Sequence, residues 1–153
     1  MARCWGFRKY GHAGTLDPAA TGLLVVLLGR ATRLSPYLTG LPKTYSFVLR
    51  LGVETDSGDS DGTVTATSGA SHVDRESLET ALRGFEGTFP QQVPAFSAVR
   101  VGGRRAYKLA RRGQSPEMPV RQATAGSWTI EEEIPGTGFR LSVRVGTGTY
   151  VRA

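Results

Sequence analysis

Cysteine occurs once in this chain of 153 residues, at Cys4. An internal disulfide is therefore impossible, and a thiolate metal cluster built by one copy of the chain is excluded. Long apolar runs are missing too. The longest, Leu23 to Leu28, has six residues, against the roughly 20 needed to span a bilayer as a helix. The opening MARCWGFRKY carries three cations but no apolar core of a secretory signal, which predicts a cytoplasmic protein with no membrane partner. Lysine is scarce: 16 of the 19 basic residues are arginine. Acid is scarce at the front, where Asp17 is the one carboxylate between Met1 and Val53.

What is present suits a globular chain. Hydrophobic residues make up 39% and charged residues 21%, which argues against disorder, and the length fits a single domain with one core. The net charge of +6 points to an anionic partner, and guanidinium groups grip phosphate in a planar fork and stack on bases. Codon bias produces the same arginine excess, so charge alone leaves the partner open.

Periodicity outlines the elements. Leu23 to Leu28, bounded by Gly22 and Gly29, reads as a strand buried on both faces. A short helix is expected within Ala31 to Leu41, starting late because of Pro36. Thr44 to Leu51 alternates as a strand and ends at Gly52. Ser71 followed by Asp74 marks a helix start, with Leu78, Ala81, Leu82 and Phe85 on its apolar face and Gly84 and Gly87 ending it. Pro90 and Pro94 keep the next segment extended. Phe96 to Val101 reads as a strand, Gly102-Gly103 as a tight turn, and Ala106 to Arg112 as a helix. Two strands follow, Ala123 to Ile134 and Phe139 to Val145, around a turn at Pro135 to Gly138.

Two segments invite a functional reading and resist it. The loop ETDSGDSDG, Glu54 to Gly62, looks like a calcium loop. With Gly62 in the EF-hand glycine position, however, Ser57 and Ser68 fill the first and twelfth ligand places, where acids are needed; no metal is expected. Arg100 to Arg121 carries seven cations and one acid, Glu117. It is the candidate for backbone phosphate contacts, the alternative being a solvated helix face.

The stretch GHAGTLDPAATG, Gly11 to Gly22, isolates Asp17 among small residues. Read locally, Asp before Pro is an N-cap that starts a short turn. The glycines permit close approach, and His12 and Thr15 add polar tips that a simple cap does not require. A KH-type clamp at Gly11 to Gly14 lacks its flanking helix pair. The whole string resembles the catalytic motif of the TruB-type pseudouridine synthases, the bacterial tRNA pseudouridine-55 synthases.

Three further segments share the resemblance in the same order. Lys43-Thr44-Tyr45 is similar to the family's Lys-x-Tyr. Pro94, Ser97, Ala98, Gly103, Ala106, Tyr107, Ala110, Arg111 and Gly113 follow its central pattern, and GTYVR at Gly148 to Arg152 looks like its second signature. Without the family, Tyr45 and Tyr150 read as strand core and Arg152 as a frayed surface charge.

The resemblance runs from about Gly11 to Ala153. It implies an α+β fold with a mixed, largely antiparallel sheet, incomplete at both ends, as a partial catalytic domain without the small C-terminal RNA-binding domain. It assigns catalysis to Asp17, entry into the RNA loop to His12, stacking on the extruded uracil to Tyr45, pocket packing to Tyr150 and pairing with the catalytic Asp to Arg152. It further implies a T-arm tRNA partner, base flipping and a monomer. The isomerisation involves neither redox change nor net hydrolysis, so no cofactor is expected. A catalytically silent RNA-binding fragment and a dyskerin-like, guide-RNA-dependent synthase are the alternative readings.

Overall fold

The computed structural model describes residues 6–69 and 73–153. Cys4 and the helix-start residue Ser71 lie outside the described residues. The chain gathers into two compact units, Met1–Pro42 and Lys43–Ala153.

In the first unit β1 (Tyr10–His12) pairs antiparallel with β2 (Val26–Leu28), placing His12 opposite Val26. A 3-10 helix (Gly29–Leu34) leads into α1 (Ser35–Thr39), with Pro36 in its first turn as its ring geometry favours. Burial on both faces of the Leu23 to Leu28 run is corrected. Leu27 is 5% exposed, but Leu23 is 90% and Val26 46% exposed. Among the described residues β2 has β1 as its one partner strand.

The second unit is built on a sheet in the order β3 (Lys43–Arg50), β10 (Gly138–Val145), β9 (Val120–Ile134), β6 (Gly87–Gln92), all pairings antiparallel. Strand β10 sets the core by strict alternation. Phe139, Leu141, Val143 and Val145 are each at most 3% exposed, while Arg140 turns to the opposite face and pairs with Glu132 at 3.2 Å. Opposite them Leu49 and Phe47 of β3 share the buried face, and Phe47 meets Trp128 edge-on at 6.3 Å.

Helix α2 (Arg75–Arg83) covers that face with Leu78 and Leu82. Asp74 is its N-cap, accepting the Ser77 N–H at 2.8 Å. Ala81 and Phe85, expected on the same apolar face, are exposed. The helix ends at Arg83, and Phe85 lies beyond the Gly84 cap against the edge of Phe89, 5.6 Å away.

Around this sheet sit two hairpins, β4 (Val53–Thr55) with β5 (Val64–Thr67), and β7 (Arg100–Val101) with β8 (Arg104–Arg105). The second turns at Gly102 and Gly103, both with positive φ (56° and 78°), a pair of angles that a two-residue hairpin loop demands and glycine supplies without strain. The strand expected from Phe96 shortens to Arg100–Val101. The carbonyls of Ser97 and Val99 accept instead from Tyr107 and Ala106, at 3.0 and 2.8 Å, fixing the start of α3 (Ala106–Ala110). No helix among the described residues is long and apolar enough to cross a membrane.

Candidate active site

The first signature forms the loop between β1 and β2. His12 closes β1, and its Nδ1 donates to the Gly14 carbonyl. A carbonyl can only accept, so in this contact Nδ1 carries the proton. Buried Ala13 ties the loop to the unit through its N–H to the Val25 carbonyl at 3.0 Å. Asp17 then opens a β-turn, its carbonyl accepting from the Ala20 N–H at 3.0 Å. Pro18 takes the second turn position, where its fixed φ fits. No helix follows, so Asp17 is a turn residue and not a helix cap; the residue is exposed.

Tyr45, Tyr150 and Arg152 belong to the second unit. Tyr45 stands on β3 opposite Val143, on the face shared by Phe47 and Leu49. It is 36% exposed, so the ring lies at the margin of the core and not in it. Tyr150 is not in a strand. It follows β10 in the GTGTYVR segment and packs beside Val93, Ala106 and Met118.

That segment is held by side chains that grip its backbone. Thr149 Oγ1 accepts the Thr124 N–H at 3.1 Å and donates to the Thr124 carbonyl at 3.2 Å. Gln91 of β6 does the same for Tyr150, its Oε1 accepting the Tyr150 N–H at 2.9 Å and its Nε2 donating to the Tyr150 carbonyl at 2.8 Å. Val151 packs against Ala125, Val143 and Val145. Each successive residue from Thr149 to Val151 is thus fixed to the sheet.

Arg152 is half-buried, which overturns the reading of a frayed surface charge. Its guanidinium donates to the Ser57 carbonyl and, at 2.7 Å, to the Phe96 carbonyl. Ser57 lies in the acidic loop, and the next residue, Gly58 (φ 70°), packs so closely that a Cβ there would collide with the Arg152 carbonyl. The acidic carboxylates serve the loop itself. Asp56 Oδ1 accepts the Thr63 N–H at 2.9 Å and Asp59 Oδ1 the Ser60 N–H at 2.7 Å. Among the described residues no three or more His, Cys, Asp and Glu gather to hold a metal ion.

Sequence reasoning missed Gln91, Ser57 and Phe96. Ser57 and Phe96 act through main-chain carbonyls, which every residue has, and no local pattern distinguishes Gln91 from Gln92. The basic segment is concentrated as read. Arg100, Arg104, Arg105, Lys108 and Arg112 line one hollow of about 420 Å³ at α3 and the β7–β8 hairpin, while Arg111 sits 5.6 Å over the Tyr107 ring.

Comparison with known proteins places this architecture. A chain in a solved structure described as a Cbf5-Nop10-Gar1 complex superposes with a TM-score of 0.62 over 97% of this chain and 34% of that one, at 24% identity. The two share a fold, here α+β with antiparallel sheets. Residues 2–151 match the family described as TruB family pseudouridylate synthase (N terminal domain), and the chain belongs to that family. It is 46% identical over 149 residues to the tRNA pseudouridine synthase B of Synechococcus elongatus, covering 95% of this chain and 50% of that protein. Against the enzyme of the same name from Chromohalobacter salexigens it is 43% identical over 152 residues, covering 99% and 49%. The chain spans about half the length of the curated relatives it matches.

Proposed function

We propose that the chain is the catalytic part of a tRNA pseudouridine synthase that converts the T-loop uridine at position 55 to pseudouridine, with Asp17 as its catalytic carboxylate. The observation that carries this reading is 41–46% identity, over nearly the whole chain, to proteins named tRNA pseudouridine synthase B. Those names favour the stand-alone enzyme over a guide-RNA-dependent one.

The reaction breaks the N1–C1′ bond, turns the uracil and joins its C5 to the same C1′. The C5 proton leaves to solvent and N1 gains one, so atoms and electrons balance without a cofactor. Asp17 either attacks C1′ or removes the C2′ proton to give a glycal. Uracil departs as a stabilised anion on either route, which is why one carboxylate suffices where glycosidases use two. A guanidinium paired with that carboxylate, the role the family resemblance gives Arg152, favours its ionised form. Tyr45 stacks on the loose base, Tyr150 packs in the pocket, and His12 occupies the gap left by the flipped nucleotide. The hollow at α3 takes backbone phosphates.

Tritium release from C5-labelled uridine in a tRNA transcript tests the reading. Release is expected from the parent and lost in Asp17→Asn; release that survives the substitution removes Asp17 from its role. His12→Ala should cost more on folded tRNA than on an unstructured oligonucleotide, and equal losses would remove the wedge. Tight, salt-sensitive binding with no release supports the silent RNA-binding reading, which the basic hollow favours.

A further inference from the structure

We infer that Gln91 is a positioning residue that sets Tyr150 and Arg152 for the reaction. The inference rests on the reading above, in which those two side chains serve the uridine site. Its geometric basis is independent of that reading. The Gln91 carboxamide stands to Tyr150 as a neighbouring strand residue would, giving one donor and one acceptor to the same residue's carbonyl and N–H, at 2.8 and 2.9 Å. Its Nε2 also donates to the Ala153 carbonyl at 3.1 Å.

The Ala153 N–H in turn donates to the Tyr150 carbonyl at 3.2 Å. Gln91 therefore binds both ends of the four-residue turn Tyr150–Ala153, within which Arg152 sits. At its other end Arg152 is oriented by the Ser57 and Phe96 carbonyls. Backbone and guanidinium are thus both held, and the direct side-chain hydrogen bonds to the Tyr150 and Ala153 backbone come from Gln91.

The chemistry of that side chain is specific. A carboxamide offers, on separate atoms, an acceptor for the N–H and an NH2 whose two hydrogens serve two carbonyls. Glutamate would set an acceptor against both carbonyls. Asparagine keeps the groups but falls one methylene short, about 1.5 Å by bond length. Gln91 itself is placed by the β6–β9 pairing, where it faces Arg121 in register.

The test compares Gln91→Met, which preserves length and volume, with the parent protein at its natural full length. A misplacement of about 1 Å in a reacting group costs on the order of 100-fold. We expect kcat for tritium release to fall by about that factor, while KM for tRNA stays within about threefold because the phosphate contacts remain. Tyr150→Ala supplies a second arm: Gln91→Met should cost clearly less in that background than in the parent, because the part of its effect that passes through the Tyr150 ring is already lost. A merely structural role would multiply the two losses and overturn the inference, as would a Gln91→Met enzyme with parental kcat.

Hydrogen exchange at the Tyr150 amide gives a readout that needs no activity. Exchange should quicken at least about tenfold in Gln91→Met while the β10 amides keep their protection; an unchanged rate overturns the clamp. A parent that releases no tritium sinks the functional reading and leaves this exchange result to stand or fall alone. Should Gln91→Met fail to fold, Gln91→Asn takes its place with the same expected outcomes.

Discussion

Two apolar segments of this chain end in opposite environments. The run Leu23 to Leu28 is the most continuously hydrophobic stretch, yet Leu23 is 90% exposed and Val26 46%. Strand β10, interrupted by Arg140, Ser142 and Arg144, buries Phe139 and Leu141 to 1%. What separates them is neighbours and period. β10 lies between β3 and β9, and each of its apolar residues falls on the face that α2 and the flanking strands cover. β2 has one partner among the described residues. Hydrophobic content alone does not bury a strand; alternation matched to a covered face does.

The contrast extends to the two signatures these strands carry. The loop that leads from β1 to β2 holds Asp17 on a short turn closed by its own backbone. The segment after β10 is fastened to β9, β6 and the acidic loop by named side chains.

The strongest way to break the comparison is Phe139→Ala. With the side chain 1% exposed, removal should cost about 3–5 kcal/mol, read from denaturant unfolding; a cost below about 1 kcal/mol would place the core elsewhere. Gly58→Ala comes next. It forces a side chain into a positive φ and onto the Arg152 backbone, for about 1–3 kcal/mol of strain, and should depress tritium release beyond what the stability loss explains.

Asp74→Ala sharpens the comparison by loosening α2 from the buried face, with a smaller fall in melting temperature than either. The Ser77 hydrogen bonds hold the Asp74 carboxyl below its ordinary value. Its stabilising contribution is therefore complete above the ordinary aspartate value and lost as pH falls through the lower folded one. In Asp74→Ala that part of the acid sensitivity should vanish from a pH series of melting temperatures. Smallest of all, Leu23→Ser should shift stability of the 153-residue chain by no more than about 0.5 kcal/mol. A loss like that of Phe139→Ala would show the two segments to be equally buried.

Much of the second unit was legible because period-2 alternation and glycine or proline punctuation coincide in β3, β9 and β10. The helix was legible, though its start was set at Ser71 where Asp74 is the N-cap, and its face was overextended to Phe85, since periodicity does not show where a helix stops. The β2 error has the same origin: a run of leucine and valine carries no information about how many strands will stand beside it. Candidate site residues were legible through four ordered segments, and not through any local property of Tyr45, Tyr150 or Arg152. What holds them was not. Gln91 reaches Tyr150 across 59 positions and Arg152 reaches Ser57 across 95, and hydrogen bonds to main-chain groups leave no mark on the partner's identity.

Gly58 also restricts how this protein can vary. Surface hairpin loops ordinarily gain or lose residues at little expense. Here an insertion between Thr55 and Gly62 would displace the Ser57 carbonyl and the Gly58 backbone together, and with them the resting place of a guanidinium far along the sequence. Length in that loop is therefore tied to where the Arg152 guanidinium rests, so a graft or tag inserted there should be the least tolerated of any at the molecule's exposed turns.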